Sequence, residues 1–358
     1  MMNFYDMTHE QLKTYLKDHG FKPFAATQLF EWVYKKDTFD FHEMSNIAKT
    51  LRDHMASNFE FKGLVLSTKQ VASDGTKKYL FELEDGLLVE SVLMEHDYGL
   101  SLCVTTQVGC NMGCTFCASG LKKKTRDLST GEMVAQIQEV QALESLRISH
   151  VVVMGTGEPF DNYDNTMDFI RVINHPKALE IGARHITVST AGVVPMIERF
   201  AEAFTQVNLA ISLHAPDDKT RDRLMPINRK YPLEQLMKSA HDYVRKTNRR
   251  ITFEYLLIGG VNDSLDYADA LSDRLRGLNC YVNLIPYNPV SEFDFKSSTP
   301  SAQRAFYDRL KKRGIQVTLR REKGGDIDAA CGQLRSEAMK ERGSYDTKKP
   351  QGGGEKTF

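Results

Sequence analysis

The chain has 358 residues, 41% hydrophobic and 26% charged, an ordinary globular composition whose length suggests one large domain or two smaller ones. With 47 Lys and Arg against 47 Asp and Glu, the zero net charge excludes a global field for nucleic acid, so any such contact must rest on local basic patches. No apolar run approaches the roughly 18 residues of a membrane span and no cationic leader opens the chain; the expected compartment is the cytosol, where cysteines read as metal-binding or catalytic.

The first sixty residues carry helical periodicity. Thr8 can cap a helix over 10–19 that stops at Gly20, and Leu29, Trp32 and Val33 mark a second over 26–36. A third covers 44–59, so residues 1–61 are expected to form a helical accessory domain. The texture then changes. Segments 65–72, 77–84 and 87–94 alternate like strands, and Asp74-Gly75 and Asp85-Gly86 supply turns between them. Residues 62–99 therefore read as a β-meander extension.

From residue 100 strands and helices alternate. Strands are expected at 102–107 (continuous with a run over 100–108), 149–155, 185–190, 207–214, 251–258, 280–287 and 316–321. Helices are expected at 131–143, 165–173, 193–204, 233–246, 267–277 and 301–313, the first opened by the capping box Ser129…Glu132. About six βα units with apolar strands imply an α/β fold, either a barrel or a doubly wound sheet. This core runs over 100–342, and the Gly- and Lys-rich tail 343–358 is expected to be disordered.

In QVGCNMGCTFCASG, Cys110, Cys114 and Cys117 are spaced C-x3-C-x2-C. Three thiolates can hold a [4Fe–4S] cube and leave one iron open for chemistry, whereas four would make an electron carrier. The competing reading is a zinc site with Cys103 as fourth ligand, but zinc favours paired knuckles and the chain has one compact triplet. Phe116 would shield the cluster from water.

The triplet after the first barrel strand resembles the signature of the radical S-adenosylmethionine (SAM) enzymes. MGTGEP (154–159), HITVST (185–190), SLHAP (212–216), RLMPIN (223–228), VNLIPYNP (282–289) and DIDAACGQL (326–334) narrow the resemblance to the RlmN/Cfr family of RNA adenine methyltransferases. It runs to about residue 335. The resemblance implies a partial (β/α)6 barrel, a [4Fe–4S] cluster on Cys110, Cys114 and Cys117, and two SAM molecules per turnover. It implies that SAM is held by Gly157, Glu158, Ser189, Ser212, Leu213, His214 and Asn288; the Glu158 carboxylate would suit the ammonium of methionine and Gly157 would let the backbone approach.

Adenine C2 is an electron-poor carbon without a lone pair, so it cannot attack a methyl cation donor, but a carbon radical can add to it. By resemblance, Cys331 accepts a methyl from one SAM, a second SAM activates that methyl, and a protein–RNA crosslink forms. Cys103 then resolves the crosslink through a disulfide with Cys331, and Glu90 removes the C2 proton as general base. On pattern alone these three would be a small buried residue, a core residue and a solvent-facing strand residue. Cys280 matches no family motif and reads as core packing.

The implied partners are 23S rRNA, near its peptidyl-transferase region, and some tRNAs beside the anticodon, with flavodoxin or ferredoxin as electron donor. Nothing suggests more than a monomer. A Cfr-type enzyme acting at C8 is the alternative, with Gly157-Glu158-Pro159 and Val108 favouring C2; a non-enzymatic metal-containing RNA-binding protein is the alternative from another class. The runs Lys122–Lys124 with Arg126, Arg249-Arg250, and Arg320-Arg321 with Lys323 are candidate phosphate contacts or merely solvated surface.

Overall fold

Apolar residues at helical spacing build α1 (His9–Asp18), α2 (Ala25–Lys35) and α3 (Lys49–Asn58), and short parallel strands β1 (Met2–Asn3) and β2 (Phe59–Glu60) join the ends of this unit. Thr8 starts α1 with a reciprocal cap: Thr8 Oγ1 accepts the Gln11 N–H at 3.2 Å while Gln11 Oε1 accepts the Thr8 N–H at 2.8 Å. Phe4, Phe30, Tyr34, Phe41 and Phe59 fill its centre. The structure is a computed structural model that describes residues 1–121, 123–290, 292–320 and 327.

The strands β3 (Val65–Val71), β4 (Lys77–Glu82) and β5 (Leu88–His96) form an antiparallel meander. It is not a separate layer. β5 pairs with β6 (Gly99–Cys103), which runs parallel to β9 (His150–Val153), so the meander is one flank of a single ten-stranded sheet. Between β6 and β9 lie the small ribbon β7 (Gln107–Val108) with β8 (Arg126–Asp127) and helix α4 (Thr130–Glu144). The sheet continues in parallel through β10 (Ile186–Thr190), β11 (Asn208–Ser212), β12 (Ile251–Leu257), β13 (Cys280–Pro286) and β14 (Val317–Leu319). It is an open barrel, with β14 and β3 as its two edges.

Helices α5 (Tyr163–Asn174), α6 (Val194–Ala203), α8 (Leu233–Thr247), α9 (Leu265–Arg274) and α10 (Pro300–Lys312) occupy the crossovers. One further helix, α7 (Asp218–Leu224), follows β11. Sequence periodicity missed it because DKTRDRL is short and almost wholly polar. Along β12, Ile251, Phe253, Tyr255 and Leu257 join the main core, while Thr252, Glu254 and Leu256 lie on the other face. The same alternation on β10 and β11 puts Ser189, Ala210 and Ser212 on that inner face. The inner face is thus the polar one.

The strand expected over 100–108 is shorter. It stops at Cys103 because the buried Gln136 side chain replaces the ladder: its Oε1 accepts the Thr105 N–H and its Nε2 donates to the Thr105 carbonyl, both at 2.9 Å. The helical unit is tied to α4 where Asp6 Oδ1 accepts the Gly131 N–H at 2.6 Å, and its aromatic centre is continuous with the barrel core. Among the described residues, no helix is long and apolar enough to cross a membrane.

Candidate active site

The loop after β7 turns sharply at Gly109 and Gly113, whose φ values of +85° and +64° lie in the left-handed region that favours glycine. This coil carries Cys110, Cys114 and Cys117 to the C-terminal mouth of the barrel. Met112, Cys114 and Phe116 pack there against Ala191, Leu224, Met225, Ile258 and Tyr287. Burial, with the neighbouring thiols adding to it, pushes Cys110 up to about 12 and Cys114 well above the ordinary thiol range. Neighbouring buried thiols of this kind give up their protons to a metal centre, and the donor set suits a soft one. Among the described residues no three His, Cys, Asp or Glu side chains stand at the spacing of a single ion's ligands. A cube binds one thiolate per iron, so its ligands stand farther apart than those of one ion.

The Gly-Thr-Gly-Glu-Pro turn after β9 lies against residues 104–107. Gly157 has φ +112°, and a Cβ there would come within 2.7 Å of both Gln107 and Thr106. Glycine is required by this contact with the protein itself. Glu158 is buried; its Oε1 accepts the Phe160 N–H at 3.0 Å and its Oε2 accepts the Ala191 N–H at 2.7 Å. Burial raises it to about 7. The carboxylate read as a ligand for ammonium is therefore first a strut between the β9 and β10 turns. Gln107, which sequence reading passed over, receives the Glu158 N–H at 2.8 Å and donates to Asp127 at 2.7 Å.

Ser189 and Ser212 are half-buried on the inner face, and Asn288 is half-buried just beyond β13; their side chains have no hydrogen-bond partner among the described residues. His214 closes the β11 turn with φ +57°. Its Nδ1 accepts the Leu256 N–H at 3.0 Å and its ring meets Phe116 edge-on at 4.9 Å. Burial, then the positive Arg221, lowers it to about 3, so it is a neutral imidazole with Nε2–H as its donor. Leu213 does not join these groups. It is buried in the main core, its N–H goes to the Glu254 carbonyl, and its own carbonyl accepts from Arg221 Nε at 3.1 Å.

Arg221 is the second residue that sequence reading missed. It is fully buried and donates to the Ser212, Leu213 and Ala191 carbonyls and to Asn228 Oδ1. It binds the β10 and β11 turns together and sets a cation beside Cys114. Its only sequence signal was the Asp217 cap preceding a polar segment.

Glu90 and Cys103 occupy adjacent strands on the inner face. Cys103 lies opposite Val92, two residues from Glu90, and both are nearly inaccessible, at 4% for Glu90 and 8% for Cys103. Strand geometry makes them diagonal neighbours, roughly 7–8 Å apart. Glu90 is paired: Lys78 Nζ, at 0% exposure, stands 3.3 Å from its Oε2. Cys331 lies outside the described residues. The last residue before its segment, Arg320, reaches from the end of β14 to Met94 on β5, Nη2 to Sδ 3.4 Å. Among the described residues no two cysteines form a disulfide; Cys280 is buried in the main core, as its pattern suggested.

Most of the basic runs are occupied within the fold. Arg126 holds Glu132 with both Nη atoms at 2.7 and 2.8 Å and Asp85 at 2.6 Å. Arg249 donates to Asn208, and Arg250 lies 4.6 Å over the Tyr281 ring. Lys122, Arg321 and Lys323 lie outside the described residues.

Residues 104–270 match the Radical SAM superfamily, and residues 2–61 match the ribosomal RNA large subunit methyltransferase N-terminal domain. A probable dual-specificity RNA methyltransferase RlmN of Enterococcus faecalis is 56% identical over 345 residues, covering 94% of this chain and 96% of that protein. Its Geobacillus kaustophilus counterpart is 54% identical, covering 94% and 93%. Among solved structures, a radical SAM methyltransferase from Sphaerobacter thermophilus superposes with a TM-score of 0.85 at 42% identity, over 93% of this chain and 99% of that one.

Proposed function

The chain belongs to the RlmN family of radical SAM methyltransferases, and from that premise we propose that it methylates C2 of an adenine in 23S rRNA and of an adenine beside the anticodon in tRNA. It is a SAM-dependent enzyme. Cys110, Cys114 and Cys117 would hold a [4Fe–4S] cluster, and Ser189, Ser212, His214, Asn288 and the backbone at Gly157 and Glu158 would line the SAM position. With SAM, the cluster supplies hydrogen abstraction from an unactivated methyl group.

The remaining work falls to the chain's own residues. The Cys331 sulfur carries the one-carbon unit to the base. Glu90 takes the C2 proton. Cys103 attacks the Cys331 sulfur as its thiolate; the carbon–sulfur bond breaks with its electron pair passing to the carbon, which takes up a proton to become the methyl group, and a disulfide remains. The observation that supports this most is the placement of Glu90 and Cys103 as diagonal neighbours on the inner face. A buried carboxylate and thiol at that spacing suit two successive steps on one adduct. Arg320 at Met94 starts the Cys331 segment inside the same barrel. The eleven residues from Arg320 to Cys331 span up to roughly 36–40 Å when extended, ample for return to Glu90.

In this reading two SAM molecules are consumed per turnover, one loading Cys331 and one at the cluster, with flavodoxin or ferredoxin as reductant. The monomer works in the cytosol, and residues 1–61 form the unit that grips folded RNA. Residues 62–99 act as the extension carrying Glu90, and 100–342 as the barrel with its cysteine segment.

Digestion of RNA modified by the anaerobically reconstituted enzyme tests the reading. The expected product is 2-methyladenosine, with 5′-deoxyadenosine formed alongside it and lost in Cys110→Ala. An 8-methyladenosine product, or Cys331 unmethylated in every copy of enzyme from cells, would refute it.

A further inference from the structure

Lys77 and Lys78 are adjacent on β4, and strand alternation sends them to opposite faces. Lys77 pairs on the outside with Glu144 at 2.5 Å. Lys78 turns inward beneath β5, lies opposite Val92, and is fully buried. Val92 thereby has three chemically active neighbours around it: Lys78 and Cys103 opposite on either side, and Glu90 two residues away on its own strand.

A lysine is almost never fully buried unless it is paired, and an apolar replacement of similar volume is often neutral or stabilising. Stability alone gives little reason for an ion pair here. Glu90 sits opposite the buried Leu80, and a carboxylate taken out of water is costly unless it is paired. A neutral acid cannot accept a proton. We propose that Lys78 is a positioning residue that keeps Glu90 ionised and aimed at the C2 proton, an inference that rests on the reading of Glu90 as the base.

The choice of lysine fits the task. An ammonium is a point charge on a flexible stem, whereas a guanidinium takes both carboxylate oxygens at once. Lys78 Nζ stands 3.3 Å from Oε2 of Glu90. When the C2–H bond breaks, its electron pair returns to the purine, the proton forms an O–H bond on Glu90, and Lys78 stays an ammonium. Other titratable and charged groups around this face are Glu82 on β4, Cys103 on β6, Glu254 on β12 and Arg320 after β14; none is changed in the variants below.

The test follows crosslink release from holoenzyme carrying methylated Cys331, mixed with RNA and SAM, across pH, for wild type, K78M, K78Q, K78R and E90Q, with thermal melting of each. In K78M and K78Q the protein–RNA adduct accumulates while 5′-deoxyadenosine still forms. Release slows roughly 10- to 1000-fold at neutral pH, and its acidic limb moves up by roughly 1–3 pH units, so that raising the pH restores rate. K78R keeps the limb in place. Wild-type release and an unmoved limb in folded K78M or K78Q would overturn the inference while leaving Glu90 as base. Wild-type release in E90Q would instead remove the reading beneath it. Should both neutral variants fail to fold, K78R decides: an unmoved limb supports the inference and a displaced one refutes it.

Discussion

At Arg221, a side chain with no access to solvent meets four acceptors on three segments. Truncation to Met leaves the Ser212 and Ala191 carbonyls without that donor, each worth about 1–3 kcal/mol when buried unsatisfied, while the Leu213 carbonyl keeps the Ala215 N–H. Arg221→Met should lower the unfolding free energy by about 3 kcal/mol or more in urea titrations, and iron loading should fall with it. His214 gives a pH signature. Its folded value near 3 lies below the unfolded 6.5, so the unfolded chain binds a proton first as the pH drops. Stability is complete above about pH 6.5 and declines towards pH 3, by about 2 kcal/mol for the first 1.5 units or so. His214→Asn should flatten that slope in urea midpoints measured at several pH values. Gly157→Ala should impair SAM cleavage and lower the melting temperature together, because the added carbon meets Gln107 and Thr106 at 2.7 Å on a backbone of φ +112°.

At the scale of the element, periodic helices were legible and terminations were not. The cap at Thr8 and the capping box at Ser129 formed as expected, since the partners lie within three residues, and Gln11 completes a box at Thr8 as well. The end of β6 was illegible because Gln136, thirty-one residues away, supplies the hydrogen bonds that stop it. Gln136→Leu leaves both polar groups of Thr105 without their partners and removes the acceptor of Ser91 Oγ. A loss of about 2 kcal/mol or more is expected, with faster amide exchange at Thr105 as the local readout. Helix α7 was equally hidden: a polar seven-residue segment has no apolar stripe, and its Arg221 points into the protein instead.

At the scale of the molecule, the helical unit, meander and barrel share one apolar core and the meander shares the barrel's sheet. Deleting residues 1–61 would strip Asn3, Tyr5 and Asp6 from Gly131 of α4 and remove the aromatic share of the common core. Such a truncation should aggregate on expression and lack a cooperative melt by circular dichroism. The sequence by itself determined the fold class and the candidate residues for the chemistry, because a ligand triplet, a cap or an alternating strand is written within a few neighbouring positions. Only the tertiary structure decided who meets whom: Lys78 against Glu90, Cys103 beside them, Glu158 spent on backbone amides, Arg221 beneath the cysteine coil. Those meetings depend on strand register and burial between residues far apart in the chain, which no local pattern encodes.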